Sequence, residues 1–214
     1  WKSDDLKDKV TSILLKIYTI DVIKSISKLR DDNYVNVNYL GETKIWNAKN
    51  PLLLDTQSAN PVNLSKNIII TGPNAAGKTT YVKSILSNVI LSQTFGIAYA
   101  LKAEMIIYDT INSFMRITDV LGLKSYFESE AEYCLNMINN AIELNKNNKK
   151  GLFLMDEPMH STPPTEGMAT AYAVTEFIGK LQGIDIILTT HFHKLTLLEK
   201  EYPNNFINLS VEAI

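Results

Sequence analysis

Apolar positions change rhythm along this 214-residue chain. Between residues 4 and 29 they fall at Leu6, Val10, Ile13, Leu14, Ile17 and Ile20, then Ile23, Ile26 and Leu29. Steps of three and four predict an amphipathic helix, with a break expected near Asp21. Residues 31–38 are polar and read as a turn leading into short extended segments. Residues 52–66 read as irregular chain, with a strand expected at 52–54 and turns marked by Pro51 and Pro61.

At residue 67 the pattern becomes continuous. Asn67-Ile68-Ile69-Ile70-Thr71 is a short unbroken apolar run, as expected at the buried centre of a parallel sheet. A glycine-rich turn follows, then a helical pattern over about 78–93. Further apolar strands are expected at 111–117, 152–155 and 184–188, with helices at about 125–144 and 166–181 between them. The tract 145–150 is polar and reads as a solvated loop. Strand alternating with helix predicts an α/β fold, a mainly parallel sheet flanked by helices and preceded by a short helical segment.

Composition narrows the partners. Hydrophobic residues make up 45% and charged residues 21%, an ordinary globular mix that can fill a core. A formal net charge of -2 supplies no global attraction to nucleic acid or anionic membrane, so any DNA contact must be local or lie outside this chain. No apolar run approaches the ~18 residues needed to cross a bilayer. The lone cysteine, Cys134, fits a reducing compartment and, beside Ala131, Leu135 and Ile138, reads as core. The chain opens on Trp1 and ends in a strand-like stretch at 206–214, and is expected to be a module of a longer protein.

The chemistry concentrates in three places. Gly72-Pro73-Asn74-Ala75-Ala76-Gly77-Lys78-Thr79 satisfies GxxxxGK[ST] at every position, directly after an apolar strand and before a helix. Such a loop turns backbone N–H groups around a polyphosphate, and the helix adds its positive end. Residues 72–80, Thr80 included, are thus expected to bind a nucleoside triphosphate, with ATP as substrate. Lys78 is expected on the β and γ phosphates and Thr79 on Mg²⁺. The second place is Asp156-Glu157, two carboxylates closing an apolar strand. Asp156 is expected to hold Mg²⁺ beside Thr79, and Glu157 to polarise the attacking water; a solvated turn is the alternative. In the third, the strand at 184–188 runs into Thr189-Thr190-His191, where His191 can reach a γ-phosphate or simply cap the next helix. His160 and His193 read as surface histidines.

Together these residues resemble the MutS-type DNA mismatch-repair ATPases. The likeness is carried by Asn60-Pro61-Val62-Asn63-Leu64-Ser65, by 69–74 with Lys78-Thr79-Thr80-Tyr81, and by Leu154-Met155-Asp156-Glu157 with Glu166-Gly167. Leu188-Thr189-Thr190-His191-Phe192 with Leu195-Thr196 completes it, and Lys102-Ala103-Glu104 and Phe114-Met115-Arg116-Ile117 match more weakly. The resemblance covers about residues 50–214. It implies a P-loop NTPase related to ABC ATPases, a partner subunit across each nucleotide, and a nucleotide state that controls a dimeric DNA clamp. Ser125 stands where the family carries the serine that meets the partner's nucleotide; a plain helix N-cap is the alternative, and the glutamates at 128, 130 and 132 read as a solvated first turn.

On the same resemblance, residues 1–45 correspond to the end of a helical core or lever segment and 46–214 to the ATPase domain, in an intracellular, DNA-associated protein (nucleus, nucleoid or equivalent). DNA would be met mostly through regions outside this chain, with no membrane contact. Three departures mark a divergent branch, the first being a segment between Ile117 and Ser125 shorter than the family's loop. Gln57-Ser58 replace the family's adenine-packing pair, leaving ATP over GTP open, and Pro158, His160 and Pro163-Pro164 replace a small Gly/Thr-rich turn after Glu157. The competing readings are another ABC-like machine and a nucleotide-gated interaction module with little turnover.

Overall fold

The computed structural model describes residues 2–31, 34–53, 58–115, 126–160 and 163–212. Its centre is a five-stranded sheet built from β4 (Asn67–Thr71), β7 (Thr110–Phe114), β8 (Gly151–Asp156), β9 (Ile184–Thr189) and β10 (Phe206–Ser210). The strand order is β10-β4-β9-β8-β7, and every pairing is parallel. Alternate side chains divide between two cores, as the two-residue period of a strand requires. Ile68, Ile70, Leu152, Leu154 and Ile187 pack with Val82, Ile85 and Val89 of α2 (Lys78–Phe95). Ile69, Phe153, Met155, Ile186 and Leu188 pack on the other side. There they meet α3 (Tyr126–Lys146), α4 (Pro164–Gly179) and α5 (Leu197–Glu201). The chain is therefore mixed α/β.

A second sheet was not anticipated from the sequence. It comprises β1 (Tyr34–Tyr39), β2 (Lys44–Ala48), β3 (Asn60–Asn63), β5 (Ile97–Tyr99) and β6 (Lys102–Met105), in the order β3-β2-β6-β1-β5. Only its β1–β6 pairing is parallel. The division at residue 45 falls inside β2 of this sheet. Buried polar side chains tie the sheet to the rest of the molecule. Asn88 of α2 donates to Lys49 O and Ser84 O and accepts from Tyr99 N, all at 2.7–2.8 Å. The Tyr108 hydroxyl donates to Asp185 Oδ2 on β9 at 2.7 Å and lies 3.0 Å from Thr43 Oγ1.

Several expectations are corrected. Helix α1 (Lys2–Asp31) runs unbroken through Asp21, since it contains no Pro or Gly and one mid-helix Asp costs only about half a kcal/mol. Its apolar positions Leu6, Val10, Ile13, Leu14, Ile17, Ile20 and Ile23 are exposed rather than buried. Residues 51–53 form a turn, not a strand, because Asn50 takes the amides of Leu52 (2.9 Å) and Leu53 (3.1 Å) through its side chain and carbonyl. Helix α3 extends into the expected loop and stops at Lys146, with Asn148 left-handed at φ 53° and Lys149 N bonded back to Leu144 O. Glu130 is buried, not solvated: it shares a helix face with Cys134, Met137, Ala141 and Leu144.

Candidate functional site

The carboxyl ends of β4, β7, β8 and β9 lie along one edge of the parallel sheet, where open α/β sheets place their ligands. Strand β4 runs into the loop 72–77, and α2 begins at Lys78. Two glycines shape this loop. Gly72 has φ +152°, and a Cβ there would sit 2.5 Å from the backbone oxygen of Val211. Gly77, the residue before α2, has φ +98°, and a Cβ there would meet nothing within 4 Å. Its hydrogen atom thus borders open space. Ala75 is also left-handed, at φ 62°. No side chain caps α2 and its first turn carries no acidic residue, so the positive helix end is left for another acceptor.

Lys78 is 5% exposed. Its ammonium donates to Gly72 O (2.8 Å) and Pro73 O (3.1 Å), and stands 3.7 Å from Glu157 Oε1. Thr79, one residue on, places its hydroxyl 3.1 and 3.0 Å from Asp156 Oδ1 and Oδ2. Thr80, Pro73, Asn74 and Ala75 are exposed and, with Gly77, Lys78, Thr79, Asp156 and Glu157, line a cleft of about 600 Å³. That volume is within the ~300–1,000 Å³ of ordinary ligand sites.

Asp156 and Glu157 are adjacent but diverge. Asp156 is the last residue of β8 and accepts from Thr79 and, at 2.6 Å, from Thr189 Oγ1 of β9. Glu157 is left-handed at φ 53° although Pro158 follows it, a position where the chain prefers an extended conformation. Such strain costs about 1–3 kcal/mol. Its amide is held by both Thr189 O (3.0 Å) and Thr189 Oγ1 (3.1 Å), and this turn carries the carboxylate away from Asp156. Glu157 Oε1 lies 2.5 Å from His191 Nε2, which is itself 3.4 Å from Lys78 Nζ. Ammonium, carboxylate and imidazole form one group; hydroxyl and carboxylate form another beside it.

Thr189 was not singled out from the sequence as a site residue. It binds both carboxylate-bearing residues because β9 lies between β4 and β8, an order that periodicity does not reveal. A second support is Tyr81, whose hydroxyl donates to Pro61 O at 2.7 Å and so ties the start of α2 to β3; burial pushes this phenol up to about 12. Beneath the turn after Glu157, the Cys134 thiol donates to Met159 Sδ at 3.8 Å. Burial, with the nearby charge of Glu130, pushes this thiol up to about 11, so it stays protonated as core.

The other expected residues are dispersed or undescribed. His160 and His193 are exposed. Lys102 and Glu104 lie on β6, paired with each other at 2.6 Å, and Lys102 stacks over Trp46. Met115 lines the cleft. Ser125, Gln57, Arg116 and Ile117 lie outside the described residues.

The donor set suits a small hard cation. Thr79 and Asp156 offer adjacent oxygens, and among the described residues no group of three or more His, Cys, Asp or Glu side chains assembles. A cation here would complete its shell from water or a bound phosphate, which is how Mg²⁺ is commonly held.

These features define a mixed α/β protein in which a glycine-rich strand-to-helix loop confronts two carboxylates at the ends of parallel strands. The chain belongs to the MutS family: the family model described as MutS domain V matches residues 68–214. The DNA mismatch repair protein MutS of Petrotoga mobilis is 31% identical over 208 residues, covering 91% of this chain and 24% of that protein. The protein of the same name from Fusobacterium nucleatum is 35% identical over 168 residues, 77% of this chain and 17% of its own length. That of Desulforapulum autotrophicum is 36% identical over 149 residues, with shares of 67% and 16%. The chain thus spans about a quarter or less of these relatives. Among the described residues no helix is long and apolar enough to cross a membrane.

Proposed function

We propose that this domain is a P-loop NTPase of the ABC-like kind that binds ATP with Mg²⁺ and hydrolyses it within a mismatch-repair protein. One observation carries the reading: the Thr79 hydroxyl meets the Asp156 carboxylate beside a buried Lys78, at the mouth of a loop opened by Gly77. The segment 72–80, through backbone N–H groups of residues other than Pro73, and the start of α2 receive the phosphates, and Lys78 exchanges its bonds to Gly72 O and Pro73 O for phosphate oxygens. Thr79 and Asp156 hold the cation, with Thr189 fixing the carboxylate. Bound Mg²⁺ supplies charge neutralisation on the phosphate oxygens. Glu157 takes the proton of the attacking water, and His191 orients that carboxylate and reaches the terminal phosphate.

The relatives' name, DNA mismatch repair protein MutS, extends the reading to the whole protein. There a second ATPase subunit would face each nucleotide, with Ser125 as the contacting residue. ATP or ADP at the two sites would close or open a DNA clamp whose DNA-binding parts lie mostly outside this chain, inside the cell and on the chromosome. Equilibrium binding of Mg·ATP to the chain and to Lys78→Ala tests the foundation. Loss of charge-assisted bonds worth about 1.5–3 kcal/mol should weaken affinity ~10- to 150-fold. Unchanged affinity removes the loop from the site.

A further inference from the structure

Met159 stands two residues past Glu157, with left-handed backbone at φ 61° and no exposed surface. Glycine is the residue that ordinarily accepts this conformation; a methionine needs something to hold it there. Its side chain supplies that hold. It belongs to the cluster containing Phe114, Cys134 and Met137, and its sulfur accepts from the Cys134 thiol on α3 at 3.8 Å. A thioether on an unbranched stem fills such irregular seats well. His160, the next residue, is exposed, so the turn as a whole is not driven inward.

The one residue between the carboxylate and this anchor is Pro158, itself buried. Its ring fixes φ and leaves the segment little freedom, so whatever holds residue 159 is transmitted to residue 157. Glu157 is likewise left-handed and is steadied on its other side by Thr189. The turn is therefore pinned at both ends, by β9 on one side and by α3 on the other.

We infer that Met159 is a positioning residue, whose side chain, seated against Cys134, holds the Glu157 carboxylate in place beside His191 and Lys78. The inference rests on the reading of Glu157 as the general base. It makes α3 a structural support of the catalytic turn, so that displacement of α3 is felt at Glu157.

The test compares Met159→Gly, Cys134→Ala and Met159→Leu with the unaltered chain. His191 ring-proton resonances, assigned among the three histidines through His191→Gln, report the place of Glu157 directly, because the two side chains touch at 2.5 Å. Met159→Gly is expected to move these resonances and to cut ATP turnover at least ~10-fold with Mg·ATP affinity unchanged, since small misplacements of reacting groups are costly. Cys134→Ala should reproduce both effects more weakly while leaving every residue of the turn itself unchanged. Met159→Leu, of similar volume, should restore both. In a Glu157→Gln background Met159→Gly should add no further loss, because both act through one carboxylate. Unmoved His191 resonances in Met159→Gly overturn the inference, as does a leucine variant as impaired as the glycine variant. So does full turnover in Met159→Gly where Glu157→Gln is impaired. An unaltered chain with no turnover refutes the hydrolysis reading instead, and the resonances still decide where Met159 holds the carboxylate.

Discussion

The Thr79 hydroxyl, in the first turn of α2, lies 3.0 and 3.1 Å from the two carboxylate oxygens of Asp156 at the end of β8. A strand and a helix converge on that contact, whose residues lie 77 positions apart in the chain. If it marks the cation site, Thr79→Val and Asp156→Asn should each flatten the dependence of nucleotide affinity on Mg²⁺. Thr189→Val, which removes a bond to the carboxylate rather than a ligand, should weaken Mg²⁺ by ~10- to 100-fold. Nucleotide binding across a Mg²⁺ titration measures all three. An unaltered titration in Asp156→Asn would falsify the assignment.

Glu157→Gln keeps the shape of the turn and removes the basic oxygen. Phosphate release should slow by at least ~10²-fold with Mg·ATP binding retained. Single-turnover kinetics separate the two quantities, and equal turnover in both chains shows that Glu157 is not the base.

The two loop glycines should fail differently. Gly72→Ala drives a methyl group into the backbone oxygen of Val211 at 2.5 Å, contact that no rotamer relieves. It should cost about 1–3 kcal/mol and lower the melting temperature by several degrees. Gly77→Ala meets no atom within 4 Å and bears only backbone strain, so its melt should move less. Its methyl group enters the open side of the loop, and its loss should show as weakened nucleotide binding. Differential scanning calorimetry and nucleotide titration together distinguish the pair, and identical profiles would contradict this account.

Asp185 makes stability depend on pH in a direction the structure fixes. Burial holds its carboxyl above its ordinary 3.8, while the Tyr108 hydrogen bond and Lys150 draw it partly back. The folded chain therefore binds more protons than the unfolded chain as pH rises from 3.8 towards the raised value. Stability from this group falls through that window and stays lower above it. Asp185→Asn retains an acceptor for Tyr108 and should raise the melting temperature at neutral pH. The difference should vanish below about pH 3.8, where both states are protonated. A lowered melt at neutral pH would mean the charge is favourable in place.

Much of the parallel sheet was legible because its central strands are buried on both faces and appear as unbroken apolar runs at 68–70 and 152–155, and as a run interrupted only by Asp185 at 184–188. The glycine loop was legible because its spacing serves one local geometry. The second sheet was not. Its strands are three to six residues long and rich in Asn, Lys and Tyr, and β1 pairs with β5 some sixty residues away, so no local rhythm announces it. Thr189 as the link between the carboxylates depends on β9 lying inside the sheet, a fact of strand order. Glu130 misled because acidity near a helix start usually means solvent, whereas its helical register with Cys134 and Met137 turns it inward. Helix α1 misled in the opposite sense: the apolar spacing is present, and the face it defines is uncovered.

Strand β10 is the sole neighbour of β4 on one side, and Val211 just beyond it bonds to Thr71 O while its own oxygen presses on Gly72. On a ribosome, which releases the amino end first, β4 emerges long before that neighbour does. For that interval an apolar strand offers bare edge groups, an invitation to mispairing or to a chaperone. The loop that follows β4 is consequently a late acquisition of the nascent chain, braced at Gly72 only once β10 has docked.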